Sequence, residues 1–190
     1  HLRFYSLKPL IKLHELGGMS VIDAERITAA GGSIRVYAKR GKHATSDRVK
    51  ELIAAEEKAG LYSAASLTDF AKRATEAKHA LLALLIKCKQ ENKKIVGVGS
   101  PARSNTLLGF CHIDNHILDY AFEKTGSPKI GLYTPGTHIP VVDEKQFLSD
   151  QPDYALVLSW HIGEELMQKL RSSGYKGKFI MPLHTPKIIN

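Results

Sequence analysis

The run Ile95-Val-Gly-Val-Gly-Ser-Pro-Ala-Arg-Ser-Asn-Thr106 places an apolar strand, a glycine turn and a helix start in immediate succession. A helix start leaves backbone N–H groups without intrahelical acceptors at the positive end of the helix dipole. Gly97 and Gly99 let that backbone come close to a ligand, and Arg103 adds a fixed positive charge in the first helical turn. Amides gathered at a positive helix end are suited to phosphate. The chemistry is therefore that of holding an anion, a nucleotide or another phosphorylated compound. It names no reaction. The Gly-x-Gly-x-x-Gly pattern is incomplete because position 102 is Ala. Glu123, at the end of the next strand, is placed to accept from a ribose hydroxyl.

Two further segments are expected at the same end of the sheet. One is the long loop 123–138, rich in Gly, Pro, Thr and Tyr, which supplies Lys129, Tyr133, Thr137 and His138. Loops of that length in compact domains tend to be functional. The other is Ser159-Trp160-His161, directly after an apolar run. In open α/β sheets ligands bind outside the carboxyl ends of the strands, so the three segments converge.

The elements that must position these residues alternate. Residues 95–98, 117–122, 139–142, 154–158 and 179–181 read as strands, with helices over 101–110, 144–148 and 163–173. Strand–helix alternation predicts a mostly parallel sheet with right-handed crossovers, a Rossmann-like α/β layout. Upstream, residues 45–91 read as two helices. The first starts at Thr45 or Ser46 and stops at Gly60; the second opens on a Ser66-x-x-Asp69 capping box. The apolar positions Leu67, Phe70, Ala74, Ala77, Leu81, Leu84, Leu85 and Cys88 recur every three or four residues, which predicts one buried face. Residues 1–43 read as helix, strand, strand: Ser6 caps a helix ending at Gly17-Gly18, and strands over 19–23 and 33–38 join through Gly31-Gly32. That segment reads as the end of a larger α/β sheet. The division is thus 1–43, a helical connector 44–92, and a Rossmann-like domain 93–190.

With 190 residues and 43% hydrophobic content, the chain can bury a sizeable core. A net charge of +8 favours acidic partners. The basic residues are dispersed, without the dense aromatic-interleaved clusters that nucleic-acid binding calls for. Cys88 and Cys111 fit neither a disulfide framework nor a zinc site, so a reducing cytoplasm is the expected compartment. No apolar run approaches the ~18 residues of a membrane span. The chain opens on His1 rather than Met, which reads as a processed product or a fragment.

Beyond these signals, Gly97-Val-Gly-Ser-Pro-Ala-Arg-Ser-Asn-Thr-Leu-Leu108, Ser127-Pro-Lys-Ile-Gly-Leu-Tyr-Thr-Pro-Gly-Thr-His-Ile-Pro140, Pro152-Asp-Tyr and Leu158-Ser-Trp160 resemble the carboxyl-terminal domain of S-adenosylmethionine (SAM)-dependent sugar C-methyltransferases. His1-Leu-Arg-Phe-Tyr-Ser-Leu7 and Gly31-Gly-Ser-Ile-Arg-Val-Tyr37 look like the end of that family's SAM-binding domain. The resemblance implies a parent of three parts: a cysteine-ligated zinc domain, a SAM-binding domain and a Rossmann-like domain, with a nucleotide-linked ketosugar between the last two. Zinc and the main SAM-binding elements would lie upstream, with no metal site here. His1 looks like the end of the family's Tyr-x-Glu-His run, hence the catalytic base. Sugar-nucleotide contacts would come from Gly97, Gly99, Ser100, Pro101, Ala102, Arg103, Asn105, Thr106, Glu123, Lys129, Tyr133, Thr137, His138 and Trp160. Ser104, Gly109 and Glu123 depart from the family pattern, which has small or amide residues at the first two and Asp at the third. Two other readings fit the residues: a regulatory module holding a dinucleotide or acyl-carrier nucleotide, and a structural lid over a separate methyltransferase chain.

Overall fold

A computed structural model describes residues 4–29 and 32–190 and divides into two compact units, His1–Lys72 and Arg73–Asn190. His1 and Gly31 lie outside the described residues. The first unit contains α1 (Leu7–Leu16), β1 (Met19–Ile27), β2 (Ser33–Arg40), α2 (Asp47–Lys58) and the opening of α3 (Ala64–Gln90). β1 and β2 are antiparallel, in register from Met19↔Arg40 to Ile27↔Ser33 with a bulge between Val21 and Asp23. Both strands run further than their apolar residues predict. Polar cross-strand pairs extend them, with the Tyr37 hydroxyl and Arg35 donating to Glu25 at 2.7 and 3.3 Å. Leu7, Val21, Ala24 and Val49 form the core, so α1, both strands and α2 pack together.

Two helix starts differ from expectation. Ser6 is the N-cap of α1 but makes no side-chain cap bond. The orphaned Leu7 amide instead donates to Glu56 on α2, at 2.9 and 3.3 Å from its two carboxylate oxygens, and the Tyr62 hydroxyl donates to the same group. Glu56 is buried. Glu56→Ala would strand the buried Leu7 amide and the half-buried Tyr62 hydroxyl, and a charged hydrogen bond of this kind contributes about 1.5–3 kcal/mol. Urea denaturation should read that loss, with Glu56→Gln recovering part of it. The α3 start moves upstream: Ser63 accepts the Ser66 amide at 3.1 Å, so Ser66 lies within the first turn and its predicted box with Asp69 is not the cap. Along α3 only Leu81, Leu85 and Cys88 of the expected stripe are fully buried, whereas Leu67 and Phe70 are each 62% exposed. The apolar period continues through α3, whereas full burial is confined to its carboxyl-terminal half.

The second unit holds β3 (Ile95–Val98), α4 (Ala102–Cys111), β4 (Ala121–Glu123), β5 (Val141–Asp143), α5 (Glu144–Asp150), β6 (Tyr154–Val157), a 3₁₀ turn (Trp160–Ile162), α6 (Gly163–Ser172), β7 (Lys178–Met181) and β8 (Lys187–Ile189). They form one six-stranded sheet in the order β5-β4-β3-β6-β7-β8, parallel except for β8. Counted from β3 this is the 3-2-1-4-5-6 order of the doubly wound dinucleotide-binding fold. The expected α/β, mostly parallel Rossmann-like architecture is therefore present. Two strands begin later than their apolar runs suggest. The amides of Ile117 and Leu118 are drawn into a turn on the Asp114 carbonyl, and the Ile139 amide into one on Thr134 Oγ1. β8 carries too little pattern to be foreseen.

Both faces of the sheet are covered. Leu81, Leu85 and Cys88 from α3 and Leu107, Leu108 and Cys111 from α4 pack in one core, with Ile95, Ile139, Leu156 and Leu158. Phe147 from α5 and Leu170 from α6 pack in the other, with Val96, Val98 and Phe179. The connection from β4 to β5 has no helix, and the end of α3 helps cover the face that such a helix would occupy.

Candidate functional site

The candidate site is the corner where β3 ends. All four β3 residues are buried. Gly97 has no room for a side chain: a Cβ there would lie 2.7 Å from Leu158 Cδ1 and 3.2 Å from the Ala121 Cβ. Its amide donates to the Tyr120 carbonyl, and that of Gly99 to the Phe122 carbonyl, at 2.8 and 3.0 Å. Both amides thus belong to the sheet. Gly99 has φ +75°, and a Cβ on it would come within 2.7 Å of Ser159 Oγ. Since β3 and β6 are neighbours at which the order reverses, Gly99 and Ser159 meet at the topological switch point. The strand order brings Ser159 to this place, where the segment following that strand is expected.

Beyond Gly99, three residues form a closed polar ring. The Ser100 amide donates to Glu123 Oε1 at 2.9 Å, and Lys129 Nζ donates to the Ser100 carbonyl at 2.6 Å and to the same Glu123 oxygen at 3.2 Å. Glu123 comes from the end of β4 and Lys129 from the β4–β5 crossover, so these two residues hold both peptide groups flanking Ser100.

α4 then starts on Pro101, which offers no side-chain cap, and its first turn contains no acidic residue. Ser104 is fully buried and turns both its amide and its hydroxyl back to the Pro101 carbonyl, at 2.9 and 2.7 Å. The residue that departs from the family pattern thereby closes the first turn of the helix. Among the described residues no acceptor takes the Ala102 amide. Asn105, one turn into α4, has a buried Oδ1 without a hydrogen-bond partner among the described residues. Arg103 is half-buried in this turn and Thr106 is exposed.

The crossover 124–140 is a chain of turns rather than an open loop. Thr134 Oγ1 lies 2.6 Å from Thr137 Oγ1 and accepts the Ile139 amide at 2.9 Å. Thr137 is thereby held inside a buried turn. His138, at φ +54°, is exposed, as is Tyr133, which bridges to Pro140. Trp160 is half-buried against the core that contains Leu158. The structure thus gathers Gly99, Ser100, Pro101, Ala102, Glu123 and Lys129 at one corner. Burial pushes the thiols of Cys88 and Cys111 above their ordinary range, as befits core residues. Among the described residues no group of three or more His, Cys, Asp or Glu side chains is placed to hold a metal ion. No helix among them is long and apolar enough to cross a membrane.

A doubly wound sheet with a glycine turn and an uncapped helix start at its switch point defines a Rossmann-like class of architecture. The chain belongs to the C-methyltransferase C-terminal domain family, whose profile matches residues 28–184. It is similar, at 28% identity over 195 aligned residues, to the C-methyltransferase NovU of Streptomyces niveus, an alignment spanning 100% of this chain and 46% of that protein. The chain therefore spans about half the length of this curated relative.

Proposed function

We propose that this chain is the sugar-nucleotide-binding, carboxyl-terminal part of a SAM-dependent C-methyltransferase, and that the diphosphate of a nucleotide-linked ketosugar sits where β3 turns into α4. The observation that carries this reading is the uncapped start of α4, with the Ala102 amide unclaimed and Lys129 close by. A helix end contributes only ~0.3–1 kcal/mol, up to ~2 kcal/mol when partly buried. Charged side chains must supply the rest, and Lys129 and Arg103 are the candidates. Gly97 and Gly99 act by keeping the corner tight, and Ser100 and Ala102 by their amides. Asn105, Tyr133, His138 and Trp160 are the proposed contacts to sugar or base.

SAM supplies an electrophilic methyl group. A base must first remove the proton beside the ketone, so that the enolate carbon can attack that methyl. Imidazole suits this near neutral pH, and the family resemblance assigns the base to His1. In the first unit the two strands pair with each other, and no strand–glycine turn–helix unit is found among its described residues to seat an adenosine. On this reading the SAM site lies in the rest of a larger polypeptide.

A second reading, a dinucleotide-binding regulatory module, is favoured by Glu123. It stands at the end of the second strand, where this fold often holds the acid that meets a ribose diol. Titration calorimetry separates the two. The proposal expects saturable heat with a nucleotide-linked sugar and with the free nucleoside diphosphate, and about tenfold weaker binding by Lys129→Met. Tighter binding of NAD moves the assignment to the second reading. No heat from either sugar nucleotide or diphosphate, with the fold intact, removes the pocket assignment.

A further inference from the structure

The ring formed by Ser100, Glu123 and Lys129 has the chemistry of an anion already bound. A carboxylate oxygen occupies the Ser100 amide, the first amide after the glycine turn, and an ammonium group neutralises it. A phosphate oxygen arriving at the start of α4 would want the same two donors. The two anions cannot share them, because each would then face the other at contact distance without enough cations between them. We infer that Glu123 is a resident stand-in for the ligand's phosphate, an internal latch that the anionic ligand displaces from the Ser100 amide. This deepens the proposed function and rests on it.

The device explains why Lys129 touches Ser100 on one side and Glu123 on the other. In the latched state Lys129 holds the Ser100 carbonyl and balances the carboxylate. When a diphosphate takes the Ser100 amide, Glu123 swings away, and Lys129 can turn its charge to the phosphate while keeping its bond to the Ser100 carbonyl. Glu123 is then free to accept from a ligand hydroxyl. Because Lys129 lies in the β4–β5 crossover, the exchange couples that crossover to the occupancy of the corner. It also sets a selectivity: weak or singly charged anions do not outcompete a carboxylate built into the fold, whereas a diphosphate with two negative phosphoryl groups does. Glu123 acts here as a specificity-determining residue.

Glu123→Gln keeps the shape and an acceptor oxygen but gives up the charge, and neutral acceptors bind an amide about half as strongly as ionised ones. Calorimetry of the full chain with inorganic pyrophosphate should show Glu123→Gln binding about tenfold tighter than the wild type, equivalent to about 1.4 kcal/mol. Binding by Glu123→Gln alone, with none by the wild type, also supports the latch. If the wild type binds pyrophosphate and the variant binds equally or less well, the latch is overturned while the phosphate site stands. If neither binds, both fall. Should the variant lose its fold, as read by circular dichroism, the wild type decides through the amide resonance of Ser100. A shift on adding pyrophosphate supports the exchange, and an unmoved resonance overturns it.

Discussion

Replacing Gly99 with valine should destabilise the sheet unit by about 3 kcal/mol or more and abolish nucleotide binding. Two independent costs add. The φ of +75° is a left-handed conformation that a β-branched residue scarcely adopts. A Cβ would also lie 2.7 Å from Ser159 Oγ, so the Ser159 hydroxyl must turn away or the ends of β3 and β6 must part. Gly99→Ala shares both faults without the branched methyls and should cost less. Denaturant unfolding measures the stability, and calorimetry on the folded fraction measures binding. A valine variant of wild-type stability would mean that the turn is not held against Ser159.

A second large effect lies in the opposite layer. Phe147 is fully buried, stacks on Phe122 with ring centroids 4.2 Å apart, and meets Tyr175 at 4.6 Å. Tyr175 continues the row to Phe179 at 5.1 Å, so one ring on α5 ties β4 to the segment leading into β7. Truncation to alanine removes an inner member of the row and leaves a cavity, for which about 3–5 kcal/mol is the usual cost. Urea denaturation should show that loss. At temperatures where the variant remains folded, its affinity for a nucleoside diphosphate should match the wild type, because the aromatic row packs on the face away from α4. Equal stability would deny the row its role, and lost affinity in the folded variant would place the site elsewhere.

The sheet was legible because its apolar runs and helix periods are local properties, and five parallel strands with their crossovers follow from them. β8 was not, since three residues at an antiparallel edge carry little pattern. The helical stripe from Leu67 to Cys88 shows the limit of periodicity: the period announces a buried face, but only tertiary placement decides which turns are covered. The corner around Gly99 was legible from the glycine turn and the helix start. Its polar ring was not, because Ser100, Glu123 and Lys129 meet only when β4 lies beside β3 and the crossover folds back. The same holds for Thr137, whose hydroxyl meets that of Thr134 inside a buried turn, and for Ser104, whose bonds to the Pro101 carbonyl close the helix start.

A crystal structure of the chain with a nucleotide-linked sugar tests the phosphate assignment most directly. The assignment predicts a phosphate oxygen within hydrogen-bond reach, about 2.7–3.2 Å, of the Ala102 amide, and Glu123 withdrawn from Ser100. A diphosphate bound elsewhere, with Glu123 still seated on the Ser100 amide, would contradict it.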